Sequence, residues 1–233
     1  MANSPEALAA GPQILSCEPQ IAPLTGERLD EAIEAIAEAF QGSDLYGWIA
    51  GHEPGSALFV KKIFEYRVRL GSAYGETDLA LEDGAVIGAA VWTPPAGHKG
   101  AALAASALKE LGTMEAAVKS FSEETKRRWL GFFNLFLGAR DKVISQPYWA
   151  LTPIAVRGHR QGLKVASKLI RPRLARMDEE GVPCFLGVQE PLCRDIYLHY
   201  GFKAIREDKI LDSGQTSWSM VRRPGAAFTE LSG

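Results

Sequence analysis

The chain has 233 residues, with 26 lysines and arginines against 28 aspartates and glutamates, for a formal net charge of −2. That length suits one α/β domain with added elements better than two domains, and the balanced charge argues against nucleic acid as the main partner. No apolar run is long enough to span a bilayer. The opening "MANSPEALAAGPQIL" has no basic stretch leading into an apolar one, so no signal peptide is expected and the cytoplasm is the expected compartment. Cys17, Cys184 and Cys193 lack a CxxC spacing and the four histidines are scattered, so reduced thiols and no metal site are expected.

In chain order, residues 1–12 are expected to be disordered and "QILSC" (13–17) to form a first strand. In "ERLDEAIEAIAEAF", Leu29, Ile33, Ile36, Ala37 and Phe40 fall on one face of an amphipathic helix, and "SALFVKKIFEYRVRL" repeats the pattern. Two apolar runs around Asp83-Gly84 predict a β-hairpin, which "TPP" at 93–95 then stops. Residues 98–140 read as a helical insertion ending in a stripe of Trp129, Phe132, Phe133 and Phe136. Such a stripe is more often core than a ligand-binding face.

The order continues with a strand (147–156), a helix (about 160–180), a strand (182–188), a short helix (193–202) and two closing strands (about 203–211 and 215–222). Together these predict a mixed, mostly antiparallel sheet with helices on both sides. The expected domain spans 13–226, followed by a tail at 227–233. Arg157, Arg160, Lys164, Lys168 and Arg171 recur at spacings of three and four, which predicts a basic stripe on one helix face. A stripe of this kind is either a solvated face, a phosphate site or a dock for an acidic partner.

A strand ending in Val156, the turn Gln161-x-x-Lys164-x-Ala166, a long helix, a strand and then Tyr197-x-x-Tyr200-Gly201-Phe202 resembles the GNAT acyltransferase superfamily, whose turn motif is [QR]-x-x-G-x-[GA]. The nearest resemblance is to puromycin N-acetyltransferase-like proteins. It rests on Val91 to Thr93, Trp149, Pro172, Gly181 to Leu186, the Tyr197–Phe202 close and Arg223 to Ala226.

The resemblance implies a GNAT fold and an acyl transfer from a phosphopantetheine thioester, acetyl-CoA by default, to an amine or hydroxyl of a small molecule. A metal is not implied. The thioester arm would pair with the central strand near Ile154, Ala155 and Val156. Its phosphates would meet the turn and helix start at Gln161, Gly162, Lys164, Val165, Ala166 and Ser167. Pro153 removes one donor from that strand, which is tolerable where the strand is unpaired.

Tyr197 is the expected acid that protonates the leaving thiolate. Lys164 stands where the motif has glycine, and Cys193 where these folds often carry an asparagine beside the pantetheine. Gly187 stands where the puromycin-type proteins carry a glutamate, so Glu190 is the nearest substitute base; His52 and His98 are more distant candidates. Tyr46, Trp48 and Trp149 are candidate walls of an acceptor pocket, and their size suggests a large acceptor such as an antibiotic or secondary metabolite. An acidic acyl carrier protein carries the same arm through a single phosphate, so Arg157, Arg160, Lys168 and Arg171 could instead dock such a donor. A non-catalytic acyl-CoA-binding module is the remaining alternative.

Overall fold

The computed structural model describes residues 18–51 and 56–229. The segments expected to be disordered (1–12) or a first strand (13–17), and His52, lie outside the described residues. Among the described residues, seven strands form one sheet: β1 (Gln20–Pro23), β2 (Thr77–Glu82), β3 (Ala85–Thr93), β4 (Trp149–Val156), β5 (Cys184–Val188), β6 (Lys203–Lys209) and β7 (Thr216–Arg222). Their spatial order is β1-β2-β3-β4-β5-β7-β6, and every neighbouring pair is antiparallel except β4–β5. The β2–β3 hairpin turns on Asp83 and Gly84, both at positive φ (49° and 80°), which is the conformation the Asp-Gly pair selects.

Among the described residues, eight α-helices flank the sheet: α1 (Leu29–Phe40), α2 (Asp44–Ala50), α3 (Ser56–Tyr74), α4 (Ala101–Leu111), α5 (Met114–Ala117), α6 (Glu123–Val143), α7 (Val165–Glu180) and α8 (Pro191–His199). α2 was not expected, because its seven residues are too few for a periodic pattern to register. It follows Ser43, a residue type common at helix starts, and ends at Gly51 in the left-handed conformation. The expected helical insertion is three helices, α4 to α6. Among the described residues no helix is long and apolar enough to cross a membrane.

The core divides into two clusters. One joins α1, α2, α3 and α6 to the sheet through residues such as Ile36, Ile49, Phe59, Phe64 and Trp129; the other joins α7 and the β4–β5–β7 strands through Trp149, Leu169, Leu174, Leu186 and Met220. β3 contributes to both, with Val86, Ala89 and Val91 in the first and Ile87, Ala90 and Trp92 in the second.

A buried ionic network ties α7 to β2. Arg173 binds both carboxylate oxygens of Asp78 (2.6 and 2.8 Å) and also meets Glu76, whose other oxygen lies 3.1 Å from His98 Nε2. His98 lies on the loop between β3 and α4, half-buried, and joins this network through Glu76.

Candidate active site

The chemistry of the site begins with a gap in the sheet. β4 pairs with β5 only at Trp149↔Cys184 and Ala150↔Phe185, after which the two parallel strands part. On its other side β4 stays paired with β3 up to Val156, and Arg157 N–H continues that ladder by donating to Ile87 O at 2.9 Å. Bonded residues alternate in an antiparallel pair. Ala155 therefore turns its backbone toward β3, and Ile154 and Val156 turn theirs into the gap. Proline is accommodated by a bulge: Ile154 pairs with Ala90 and Leu151 with Trp92, so Thr152 and Pro153 together face Val91. The ladder toward β3 is broken at Pro153, which was expected to need only the open side.

At the C-terminal end of β4 the chain makes a turn that ends at α7. Gln161 Nε2 donates to Val156 O at 3.1 Å, so this side chain braces the turn against the strand end. Gly162 and Lys164 both adopt positive φ (76° and 62°), and the helix therefore begins at Val165, later than the expected 160. The first intrahelical bond is Lys168 N–H to Lys164 O (3.1 Å); the N–H groups of Val165, Ala166 and Ser167 precede it and have no acceptor within the helix. These donors and the positive end of a 16-residue helix make an anion-receptive turn. Lys164 holds a backbone shape that glycine adopts without strain, at a cost of about 1–2 kcal/mol.

The expected basic stripe does not form on one helix face. Arg157 and Arg160 precede α7, and only Lys168 and Arg171 lie on it. Arg157 pairs with Glu38, Arg160 with Glu82, and Lys168 with Glu18 at 2.7 Å. Arg171 donates to Ser167 Oγ (2.9 Å) and lies 4.8 Å over the Phe228 ring. Three of the five cations are thus already neutralised within the chain.

Where β4 and β5 part, a cavity of about 140 Å³ opens. β4 lines it with Leu151 to Ile154 and β5 and α8 with Leu186 to Glu190, Cys193 and Tyr197; Tyr46, Phe64, Arg67, Phe132 and Phe136 close it from the helical side. Tyr197 and Glu190 are thus brought together with the open strand. Tyr197 is half-buried and packs edge-on against Phe202 at 5.6 Å. Burial, with smaller contributions from Cys193, Cys184 and Tyr200, pushes its pKa well above the ordinary phenol range, so the hydroxyl keeps its proton throughout the neutral range. Tyr200, a turn further on, is buried in the second core cluster.

Glu190 sits at the N-cap of α8, half-buried, with its carboxylate making no capping bond. Burial also raises the pKa of Cys193 and of the fully buried Cys184. Neither thiol is therefore primed as a nucleophile. Among the described residues no group of three or more His, Cys, Asp or Glu could hold a metal ion.

Two expected wall residues lie elsewhere. Trp149 starts β4 but is buried in the core with α7, donating to Glu180 Oε2 at 3.0 Å beneath the Arg176 guanidinium. Trp48 packs under Arg128 at 5.0 Å, outside the cavity lining. Position along the strand explains the first: Trp149 lies where β4 is still paired with β5, before the gap opens. In place of these two tryptophans the walls are Phe64, Phe132 and Phe136. The α6 stripe serves both purposes, since Trp129 is wholly buried while Phe136 reaches the cavity. Arg67 was missed altogether, because a single arginine in a helical pattern carries no motif.

Gly187 explains why no glutamate follows Leu186. A Cβ at this position would lie 2.3 Å from Phe136 Cε2 and 2.9 Å from its Cδ2, so the ring occupies the space a side chain would need. Gly187→Ala is expected to lower stability by about 1–3 kcal/mol in a melt, and adding Phe136→Ala should recover part of that loss. Full additivity of the two substitutions would show that the contact does not decide the residue.

No protein-family model matches the sequence. Among solved structures the chain is similar to the histone acetyltransferase HPA2 and related acetyltransferase from Corynebacterium glutamicum ATCC 13032, at 17% identity and a TM-score of 0.59, over 93% of this chain and 100% of that one. It is also similar to arylalkylamine N-acetyltransferase 2 from Aedes aegypti (12% identity, TM-score 0.59, 89% and 99% covered). A Desulfovibrio desulfuricans protein described as belonging to the GNAT family aligns at 12% identity and a TM-score of 0.52, over 89% and 99% of the two chains. The fold is that of the GNAT acetyltransferases.

Proposed function

We propose that the chain is an acyltransferase that moves an acyl group from a phosphopantetheine thioester, coenzyme A foremost, to the amine of a small molecule. The observation that carries this reading is the parting of β4 from β5, which leaves the backbone of Ile154 and the N–H of Val156 open, with Tyr197 lining the same gap. A pantetheine arm offers amides that can pair with that open edge. Its phosphates would then lie toward the N–H groups of Val165, Ala166 and Ser167. The motif resemblance to puromycin N-acetyltransferase-like proteins supports the same assignment, and the arylalkylamine acetyltransferase among the structural relatives supports an amine as acceptor.

In the reaction, the amine nitrogen gives up a proton to Glu190 and its lone pair forms the C–N bond at the thioester carbonyl. As the C–S bond breaks, the thiolate takes the Tyr197 proton, and the phenolate is restored through solvent from the proton held on Glu190. The products are an amide and a free thiol. The raised pKa values of Cys184 and Cys193 favour this direct attack over an acyl-cysteine intermediate. A cavity of about 140 Å³ supports a small acceptor rather than the large one that the tryptophans suggested.

The internal pairing of Arg157, Arg160 and Lys168 favours coenzyme A over a carrier protein, because a docking face needs cations free to meet the partner. Titrating acetyl-CoA and an acetyl-loaded carrier protein into the wild type and Lys164→Gly tests this. Coenzyme A is expected to bind both forms, with Lys164→Gly within about threefold, because that substitution relieves the positive φ and removes one charge. Binding of the carrier protein alone, abolished by salt, would overturn the choice of donor. Thiol release from acetyl-CoA in the presence of an amine separates an enzyme from a non-catalytic binding module.

A further inference from the structure

Arg67 is the polar residue of the cavity whose chemistry the acyl transfer does not use. It projects from α3 beside Tyr46 and Phe64, and its Nε is buried with no hydrogen-bond partner. Burial pulls its pKa down, and the groups that act against this are the phenols of Tyr46 and Tyr66 rather than any carboxylate. Its guanidinium lies 6.0 Å from the centre of the Trp129 ring. Other arginines that reach the interior are treated differently: the half-buried Arg173 meets Glu76 and Asp78, and the buried Arg222 meets Asp178. Arg67 is half-buried, with its Nε shut off from water and no carboxylate against it among the described residues; such a partly desolvated cation on the wall of a cavity is suited to an anion that the ligand supplies.

We propose that the acceptor is a small amino acid whose carboxylate is held by Arg67. This inference rests on the acyl-transfer reading and names its substrate class. An arginine fork matches a carboxylate with two parallel hydrogen bonds, which fixes orientation as well as affinity. Glu190 supplies the opposite charge on the facing wall of the same cavity, where it meets the amine beside Tyr197. Phe64, Phe132 and Phe136 surround the apolar body between the two ends. A cavity of about 140 Å³ has room for a benzene-sized group but not for a nucleotide. The donor's phosphates do not compete for Arg67, because the turn and helix start that suit them, Gly162 and Val165 to Ser167, are not among the cavity walls.

The test uses the full chain, acetyl-CoA and two matched pairs of acceptors: L-phenylalanine beside phenethylamine, and 4-(aminomethyl)benzoate beside benzylamine. At least one acid should exceed its carboxylate-free partner by about 50-fold in kcat/KM, the effect of a hydrogen-bonded ion pair. Arg67→Met should bring that ratio close to one, and Arg67→Lys should keep part of it. If the wild type shows no preference for either acid, or if the preference survives Arg67→Met, the proposal is overturned. A guanidinium serving only to stack on Trp129, or to polarise the thioester, would lower both members of each pair equally. Calorimetric titration with N-acetylphenylalanine and N-acetylphenethylamine repeats the comparison without turnover. Tighter binding of the acid through Arg67 in a chain that neither binds nor consumes acetyl-CoA would keep the anion site and remove the acyl-transfer reading. Ready acetylation of the plain amines with no preference would do the reverse.

Discussion

Tyr197→Phe is expected to lower kcat for acyl transfer by at least tenfold, and on the order of 100-fold, while acetyl-CoA binds as before. The leaving thiolate needs a proton at the moment the C–S bond breaks, and the Tyr197 phenol is a protonated group on the wall of the gap where the thioester arm would lie. Phenylalanine keeps the edge-on packing against Phe202 and loses only the hydroxyl, so a change in kcat reports the proton and not the fold. The pH profile gives a second readout. Because burial raises the Tyr197 pKa, kcat should show no alkaline decline through pH 10, the ordinary phenol value. Thiol release followed across pH in both proteins checks both statements. An unchanged kcat in the variant would remove Tyr197 from the mechanism.

Asp178→Ala should cost about 3–5 kcal/mol, although the residue lies away from the cavity. Its partner Arg222 is 2% exposed and donates to both Asp178 oxygens (2.6 and 2.8 Å), to Tyr200 O (2.9 Å) and to Ala226 O (2.7 Å). Removing the carboxylate leaves a guanidinium in the interior without its counter-charge. The corresponding fall in melting temperature is roughly 6–20 °C for a chain of this size.

The same pair sets an acid limit. The Arg222 guanidinium, aided by the Gly225 N–H, holds the Asp178 pKa below the ordinary carboxylate value. A depressed pKa contributes stability that is full above the unfolded value, near 4, and is lost as pH falls through the folded value. Denaturation between pH 7 and pH 3 should therefore show a loss in the wild type that is smaller in Asp178→Asn. Equal acid sensitivity in the two would show that the pair contributes nothing. Because Arg222 binds the carbonyl that ends α8, this cluster also fixes the helix that carries Tyr197.

Much of the fold was legible in the chain. The Asp83-Gly84 hairpin, the amphipathic α1 and the alternation of strands and helices after 147 are local signals, and each turned out as its period or turn chemistry required. The candidate donor site was legible for the same reason: Gln161 to Ser167 are contiguous, so one strand–turn–helix places them together. Tyr197 and Glu190 follow within one further strand and helix, and the structure brings both to the cavity.

The helical side of the cavity was not legible. Which aromatic residues face a ligand depends on how α3 and α6 rotate against the sheet, and no pattern within either helix encodes that rotation. Trp149 and Trp48 looked suitable by size, yet the β4–β5 pairing at Trp149 and the Arg128 contact of Trp48 place them elsewhere. The spacing of the basic residues before and along α7 suggested a free cationic face. Only the tertiary structure brings Glu38, Glu82 and Glu18 against it, from 119, 78 and 150 positions away. The same is true of Arg67, whose meaning lies in what does not meet it. Local sequence determined the elements and the anion-receptive turn before α7, because those depend on neighbouring residues. Long-range packing alone decided which charges are neutralised and which one is left facing the cavity.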